Sequence, residues 1–268
     1  MADSSSEAEA ALLVETPEPG IWRVTLNRPR SKNAVSFEMW AGFAELLDRL
    51  EADTPPRALI VQGADNFFSI GGDVKVPPAR GEGALAPAAR LEQGQRIISR
   101  LRALPTPVIA AVEGGAFGIG WALALSCDLV FASESAKFGA PFVDFGVVPD
   151  GGAAWLLTQR IGRIRAAELI FSGRTISAAD AYGLGLVSRL VPAGGVAEAA
   201  LEFARNIGRG NRLAAEMTKR LLHTAETADL AAVHAQELAY CAIAQTGPEM
   251  ENARRYFASL RKGAREEG

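Results

Sequence analysis

The sequence has few of the residues that build metal centres and disulfide frameworks. Its 268 residues include two cysteines and two histidines. Cys127 and Cys241 lie far apart in apolar stretches, which favours two buried thiols in a reducing compartment over a disulfide. His223 and His234 both fall late in the chain, where packing or surface roles are the common ones. We therefore expect no metal site and no nucleophile–base pair.

A strong excess of charge of either sign is also lacking. The net charge of −3 and the pI near 5.6 argue against general nucleic-acid binding. A composition of 49% hydrophobic and 22% charged residues is that of an ordinary globular protein with a sizeable core. The first residues are small and acidic, unlike a signal or transit peptide. We expect residues 1–11 to form a disordered tail and the protein to be cytoplasmic.

Long hydrophobic runs and nucleotide-binding motifs are absent as well. Roughly 14 uncharged residues separate Glu113 from Asp128, fewer than the ~20 that a membrane span needs. A dinucleotide fingerprint would require a third glycine where Leu123 stands, and no GxxxxGK[ST] motif occurs. These absences disfavour a membrane protein and the two common nucleotide-binding loops.

The most informative feature that is present is a glycine-rich turn between two apolar segments. A buried strand is predicted at residues 108–112 and an apolar helix after residue 120, with four glycines between them: Gly114, Gly115, Gly118 and Gly120. Such a turn aims free backbone N–H groups at developing negative charge, and glycine lets a ligand approach closely. An ordinary tight turn between core elements would fit the spacing equally well.

Hydrophobic periodicity divides the chain into a mixed α/β core and a helical end. Strands are predicted at residues 21–27, 58–61, 108–112, 129–132 and 187–191. Helices are predicted at 36–53 and 91–104, with helical turns from about 152 to 181 and long loops at 63–84 and 138–152. Further helices are predicted at 212–222, 229–243 and 249–260. We therefore assign residues 12–195 to the core and 196–268 to a helical C-terminal region.

Seven short motifs occur in one order along most of the chain, from about Leu12 to Arg261. They are NRPRSKNA at 27–34, FFSIGGDVK at 67–75, the run 107–128, AKFG at 136–139, VPDGG at 148–152, TISAADA at 175–181 and GLGLV at 183–187. Together they resemble the crotonase, or enoyl-CoA hydratase/isomerase, family. The sequence around VPDGG is similar to that of members such as 1,2-epoxyphenylacetyl-CoA isomerase.

The resemblance implies a fold and an assembly. The expected fold is α/β, a spiral of ββα units with a C-terminal α-helical trimerisation region. The expected assembly is a homotrimer or a dimer of trimers. The expected partner is an acyl-CoA thioester, with coenzyme A as part of the substrate and no separate cofactor, nucleic acid or membrane.

The resemblance also implies an oxyanion hole for the thioester oxygen. By position, the two backbone N–H donors would come from Gly72 and Ile119. The neighbouring residues Ile70, Gly71, Asp73 and Val74 would line the substrate channel. Ile70 is bulkier than the alanine common in the family, which would narrow that channel. We interpret Asp73 as a cap for the following turn.

Three cations stand at positions that resemble those meeting the nucleotide end of coenzyme A in the family. They are Arg30, Lys32 and Lys75. Each would also be unremarkable as a solvated surface charge. A phosphate contact from one such residue positions a ligand without defining its acyl group.

The sequence departs from the family's hydratases at both glutamates that activate water. Those positions are occupied by Ala122 and Phe142, neither of which can transfer a proton. Phe142 is instead expected to contact the substrate. A hydratase using two glutamates is therefore disfavoured.

Asp150, in the VPDGG motif, is the candidate acid/base. A carboxylate opposite an oxyanion hole suits proton shuttling during double-bond isomerisation, and burial near Phe142 and Phe145 would raise its pKa. An N-cap role for Asp150 is the structural alternative. Asp144 is a second, weaker candidate if the strand before it continues. Two alternatives stay open: a hydratase with a non-standard acid, and a non-catalytic acyl-CoA-binding subunit.

Overall fold

Two β-sheets organise the protein. The computed structural model describes residues 10–52, 55–77, 79–84, 86–209, 211–247 and 249–266. The strands are β1 (Leu12–Glu18), β2 (Ile21–Leu26), β3 (Ala58–Gly63), β4 (Val108–Val112), β5 (Gly115–Phe117), β6 (Leu129–Ser133), β7 (Lys137–Gly139), β8 (Ile176–Ser177) and β9 (Arg189–Val191). The larger sheet has the order β1-β2-β3-β4-β6-β9 and the smaller one the order β5-β7-β8. The pair β1–β2 is antiparallel, and the other pairs of the larger sheet are parallel.

The described helices alternate with these strands and then continue alone to the C-terminus. They are α1 (Phe37–Ala52), α2 (Ala89–Ala103), α3 (Ile119–Ser126), α4 (Ala153–Ser172), α5 (Ala178–Gly183), α6 (Val196–Asn206), α7 (Arg212–Ala225), α8 (Leu230–Thr246) and α9 (Met250–Glu266). Ser36 begins α1 by accepting the N–H of Met39 at 3.3 Å, as its N-cap position predicts. None of the described helices is both long and apolar enough to cross a membrane.

The larger sheet is buried on both faces, as expected for parallel strands. In β4, Val108, Ala110 and Val112 point into the main core, which α1, α2 and α3 also fill. Ile109 and Ala111 point to the opposite face, where α6 packs. Helix α6 therefore belongs to the layered core by its packing, although our division at residue 195 places it in the C-terminal region.

Helix α7 is tied to the core by a buried lysine. Lys219 is 5% exposed, and its Nζ lies 2.8 Å from Oδ2 of Asp128 and donates to the carbonyl oxygen of Thr106 at 2.9 Å. In contrast, α8 and α9 expose large apolar side chains, among them Leu238 and Phe257. The predicted trimer stays a prediction.

Some elements differ from the sequence-based expectations. The antiparallel strand β1 was not predicted, nor was the short strand β5 inside the glycine-rich turn. Asn27 bonds to the carbonyl oxygens of Ala10 and Ala11, so the predicted tail does not include these two residues; residues 1–9 lie outside the described part. Cys127 is buried, but Cys241 is exposed, so the expectation of two buried thiols is wrong for Cys241. Its helix, α8, has no buried residue in this chain.

Candidate active site

A cavity of about 700 Å³ brings together three loops and the first turn of α2. Most of its lining surface is apolar, as in sites that enclose organic ligands. The lining comprises residues 70–77, Arg90, Leu91, Gly118, Ile119, Pro141, Phe142, Phe145, Val147, Val148 and Asp150. The predicted residues Ile70 through Lys75, Ile119, Phe142 and Asp150 all lie in it.

Two residues that line this cavity have backbone N–H groups without an acceptor in the described part of the chain. Gly118 precedes α3 with φ 51° and ψ −125°, so the N–H of Ile119 belongs to the open first turn of a helix. Gly71 has φ 110°, a conformation that favours glycine, and it presents Gly72 to the same cavity. Within the described residues, neither the Gly72 nor the Ile119 N–H is hydrogen-bonded to the protein. The pair can donate to a ligand oxygen.

Close packing fixes the first donor loop against the second. The Ser69 hydroxyl donates to the carbonyl oxygen of Asn33 at 2.8 Å, and the N–H of Gly71 donates to the Ser69 hydroxyl at 3.2 Å. A Cβ on Gly120 would lie 2.6 Å from the Ser69 side chain, which only glycine avoids. Phe117 N–H also donates to the Ser69 carbonyl oxygen at 3.0 Å. The two donors are therefore held by one rigid junction.

Both carboxylate oxygens of Asp73 accept hydrogen bonds from other residues. Asp73 is 4% exposed, its Oδ2 accepts from Nη2 of Arg28 at 2.8 Å, and its Oδ1 accepts from the N–H of Lys75 at 3.0 Å. Burial acts to raise the pKa of Asp73, but these hydrogen bonds and the charges of Arg28 and Arg90 outweigh it and lower the pKa. This geometry agrees with the turn-capping role that we predicted.

Asp150 is the opposite case. It lies between Pro149 and the two glycines that lead into α4, and helix α4 is capped by Gly152 without a side-chain hydrogen bond. Oδ1 of Asp150 is buried and has no partner among the described residues. Burial raises the pKa of the Asp150 carboxyl from 3.8 to about 6, while the charge of Arg90 acts to lower it. The carboxyl group can therefore accept and release a proton near neutral pH.

Arg90 is a site residue that sequence reasoning missed. It lies in the first turn of α2, lines the cavity and is half-buried. A cation in a first turn is unfavourable for the helix dipole, and this anomaly was the available signal. The helix predicted from the sequence begins at Leu91 and so does not include Arg90.

The cations predicted for coenzyme A do not all reach the cavity. Lys75 lines its rim and is exposed. Arg30 lies in a 3-10 turn, Pro29–Ser31, and Lys32 follows it with its Nζ 5.4 Å from the centre of the Phe67 ring. Neither Arg30 nor Lys32 is part of the described lining.

The two positions where the resemblance implies hydratase glutamates hold apolar residues. Ala122 is fully buried in α3, and Phe142 is 6% exposed and lines the cavity. A Cβ on Gly118 would lie 3.7 Å from the Phe142 ring, so the ring packs beside the turn at Gly118. A Cβ on Gly151 would lie 3.2 Å from that of Ala122, so the buried alanine underlies the Asp150 loop.

The expectation for Asp144 is wrong. The strand before it ends at Gly139, and Val143–Phe145 form a 3-10 turn instead of a continued strand. Asp144 is exposed and its carboxylate lies against Gly173, at the end of α4. In the described residues, no group of three His, Cys, Asp or Glu side chains could hold a metal ion.

Comparisons with known proteins agree with this geometry. The family model described as enoyl-CoA hydratase/isomerase matches residues 16–264. The chain is 36% identical over 215 residues to 1,2-epoxyphenylacetyl-CoA isomerase of Escherichia coli (strain K12), covering 78% of this chain and 81% of that protein. It is 38% identical over 217 residues to a probable enoyl-CoA hydratase of Mycobacterium bovis, covering 79% and 76%.

Solved structures give the same answer for the fold. The crystal structure of an enoyl-CoA hydratase from Bacillus anthracis superposes with a TM-score of 0.87 at 28% identity, covering 93% of this chain and 96% of that one. The chain therefore belongs to the enoyl-CoA hydratase/isomerase family and has the crotonase fold that we predicted. It is an acyl-CoA enzyme of that family.

Proposed function

We propose that this enzyme isomerises the double bond of an enoyl-CoA thioester, with Asp150 as the acid/base. The observation that carries the proposal is the buried, unpartnered Oδ1 of Asp150 in the same cavity as the free N–H groups of Gly72 and Ile119. A base and an oxyanion hole that share one mostly apolar cavity are the two parts that an enolate mechanism requires.

The proposed step moves one proton and no oxidant is needed. Asp150 as carboxylate takes a proton from a carbon next to the double bond or the thioester. The C–H electron pair enters the conjugated enolate, and the charge gathers on the thioester oxygen held by Gly72 and Ile119. Asp150, now a carboxylic acid, returns the proton to another carbon of the acyl chain, and the double bond ends in a new position.

The apolar residues at the two hydratase positions support isomerisation over hydration. Ala122 and Phe142 offer no group that could hold or deprotonate a water molecule. Excluding water from an enolate also prevents its loss by side reactions. Among the relatives, both isomerase and hydratase names occur, so this choice rests on the site residues.

Coenzyme A enters this proposal as part of the substrate. Lys75 would meet its phosphates at the rim, while Ile70 and Val74 would contact the pantetheine arm or the start of the acyl chain. The mostly apolar lining beyond them suits a hydrocarbon or ring-bearing acyl group. We propose no separate cofactor.

The test is proton exchange at the acyl chain in heavy water. Straight-chain and cyclic enoyl-CoA thioesters are mixed with the wild-type enzyme and with Asp150→Asn, and deuterium incorporation and double-bond position are followed by mass spectrometry and NMR. We expect exchange and isomerisation in the wild type and their loss in the variant.

Two other outcomes would replace the proposal. Water addition that survives Asp150→Asn would make the enzyme a hydratase with a different acid. Tight acyl-CoA binding with neither exchange nor water addition on any substrate would indicate a non-catalytic binding subunit.

A further inference from the structure

Arg90 stands between the two groups on which the proposed reaction depends. A Cβ built on Gly72 would lie 3.6 Å from Nη2 of Arg90. Arg90, Gly72 and Asp150 also line a smaller cavity of about 30 Å³. The guanidinium therefore lies beside Gly72 and shares a cavity with Asp150, whose charge attracts it.

The protein holds one edge of this guanidinium and leaves the other toward the cavity. Nη1 donates to the carbonyl oxygen of Val76 at 2.9 Å. The group lies 5.9 Å from the centre of the Phe37 ring, over which Arg80 also stacks, at 3.9 Å. Among the described residues, no acceptor is bonded to Nη2. A half-buried guanidinium with unbonded N–H groups is stabilised when an anion lies beside it.

Two anions of the lining attract Arg90, Asp73 more strongly than Asp150. Asp73, however, is already bonded to Arg28, and Arg28 itself repels Arg90. Lys75 adds a positive charge at the exposed rim. The carboxylate of Asp150 is the one described anion of the lining that lacks a bonded cation.

We infer that Arg90 is a positioning residue that balances the negative charge on both sides of the proton transfer. This rests on the proposed function. Before the transfer Arg90 faces the Asp150 carboxylate, and after it Arg90 faces the enolate oxygen at Gly72. The C–H bond breaks, the proton goes to Asp150 and the electron pair goes to the thioester enolate, so the total charge of the site is constant. Arg90 itself stays protonated throughout.

This placement has two measurable consequences. Burial opposes the ionisation of Asp150, and the positive charge of Arg90 favours it. Removing the charge should therefore make Asp150 harder to ionise. It should also weaken the binding of an enolate at the oxyanion hole, because the same cation lies beside Gly72.

The experiment compares Arg90→Gln, Arg90→Lys and the control Arg80→Gln. Arg80 stacks on the same phenylalanine ring but does not line the cavity. The Asp150 carboxyl is titrated by NMR in protein labelled with ¹³C-aspartate, its signal being the one absent from Asp150→Asn. The enolate of acetoacetyl-CoA, which absorbs in the near ultraviolet, reports the oxyanion site without any turnover.

We expect Arg90→Gln to raise the titration midpoint of Asp150 by about one pH unit. We expect it also to lower the enolate-to-keto ratio of bound acetoacetyl-CoA about tenfold, which corresponds to a rise of about one unit in the pKa of the bound ligand. Arg80→Gln should change neither quantity, and Arg90→Lys should recover most of both. Circular dichroism checks that each variant is folded.

The inference is overturned if Arg90→Gln leaves both quantities unchanged, if Arg80→Gln has an equal effect, or if Arg90→Lys is no better than Arg90→Gln. Failure of the proposed function looks different. In that case the wild type would isomerise no substrate, while the Asp150 titration and the enolate signal would still depend on Arg90.

Discussion

Two carboxyl groups that line one cavity have different surroundings: Asp73 is almost fully buried, whereas Asp150 is half-buried. Asp73 accepts hydrogen bonds from Arg28 and from the N–H of Lys75, and its pKa is lowered. Oδ1 of Asp150 has no partner in the described part of the chain, and burial raises the pKa of this residue to about 6. At Asp73 the hydrogen bonds and the nearby arginine charges outweigh burial and lower the pKa, whereas at Asp150 burial dominates and raises it.

The comparison also separates structural from chemical roles. Asp73 organises the loop that presents Gly72, because its carboxylate joins Arg28, just after β2, to the turn at Lys75. Helix α4 is capped without the Asp150 side chain, whose Oδ1 has no partner among the described residues. A carboxyl group with a buried, unpartnered oxygen is costly to the fold, and an acid/base role would account for that cost.

The largest expected effect is on catalysis. Asp150→Asn should reduce deuterium exchange into an enoyl-CoA by about 10²–10⁴-fold, because the amide cannot accept the proton. Asp73→Asn should reduce it less than tenfold, since Asp73 acts only through loop position. Both rates are measured at pH 8 with a saturating substrate. Equal losses in the two variants would end the distinction between them.

The second effect is on stability and has a definite pH dependence. The Asp150 carboxyl ionises at about 6 in the folded protein and near 3.8 when unfolded. Above pH 6 the Asp150 carboxylate is charged in both states, but in the folded state the charge is buried, which lowers the free energy of unfolding. This destabilisation disappears as the pH falls below about 4, where the carboxyl group is protonated in both states.

Asp150→Asn should therefore raise the free energy of unfolding at pH 8 by roughly 2–3 kcal/mol and change it little at pH 3.5. Urea unfolding at the two pH values measures this. A variant that is destabilised at pH 8 would show that Asp150 makes a stabilising bond after all.

The third effect concerns the partner of Asp73. Arg28→Met removes the hydrogen bond to Asp73 and a second one, at 2.7 Å, to the carbonyl oxygen of Ala34. It should lower the free energy of unfolding at pH 7 by about 1–3 kcal/mol, as for other buried groups left without a partner.

The sign of the pH dependence is opposite to that of Asp150. Because the pKa of Asp73 is lowered in the folded state, its ion pair stabilises the protein above about pH 4 and is lost at lower pH. The difference between wild type and Arg28→Met should thus shrink between pH 7 and pH 3 in thermal unfolding. A constant difference would assign the loss to the Ala34 bond.

The smallest effect lies at the cavity rim. Lys75→Ala should weaken coenzyme A binding about 2–5-fold at low salt, since an exposed charge pair contributes up to ~1 kcal/mol. Lys32→Ala is the matched control, because Lys32 lies outside the described lining. Calorimetry at two salt concentrations measures both. A larger loss of affinity for Lys32→Ala than for Lys75→Ala would place the coenzyme A phosphates beside Lys32.

Much of the fold could be predicted from local sequence. The core strands β2, β3, β4 and β6 are short apolar runs bounded by polar or glycine residues, and such runs fold as buried strands in most contexts. Strand β1 escaped prediction because its burial alternates weakly at a sheet edge. The 3-10 turn at Val143–Phe145 lies inside the segment predicted as a loop, and the sequence did not specify the local geometry of that loop.

The residues of the candidate site also differ in how far the sequence alone could indicate them. The family resemblance implies Gly72 and Ile119 as the two donors, and both residues line the cavity beside glycine-containing turns. Asp150 could be proposed from its motif and from the missing glutamates. Arg90 could not be paired with Asp150, since sixty residues separate them along the chain.

The sequence by itself determined the family, most of the strand and helix framework and the glycine-rich turn before α3, because these depend on local propensity and on motifs in a fixed order. Only the tertiary structure decided that Asp73 is bonded, that Oδ1 of Asp150 is not, and that Arg90 lies beside Asp150. The physical reason is that a carboxyl pKa depends on groups within a few ångströms in space, and those groups come from distant parts of the chain.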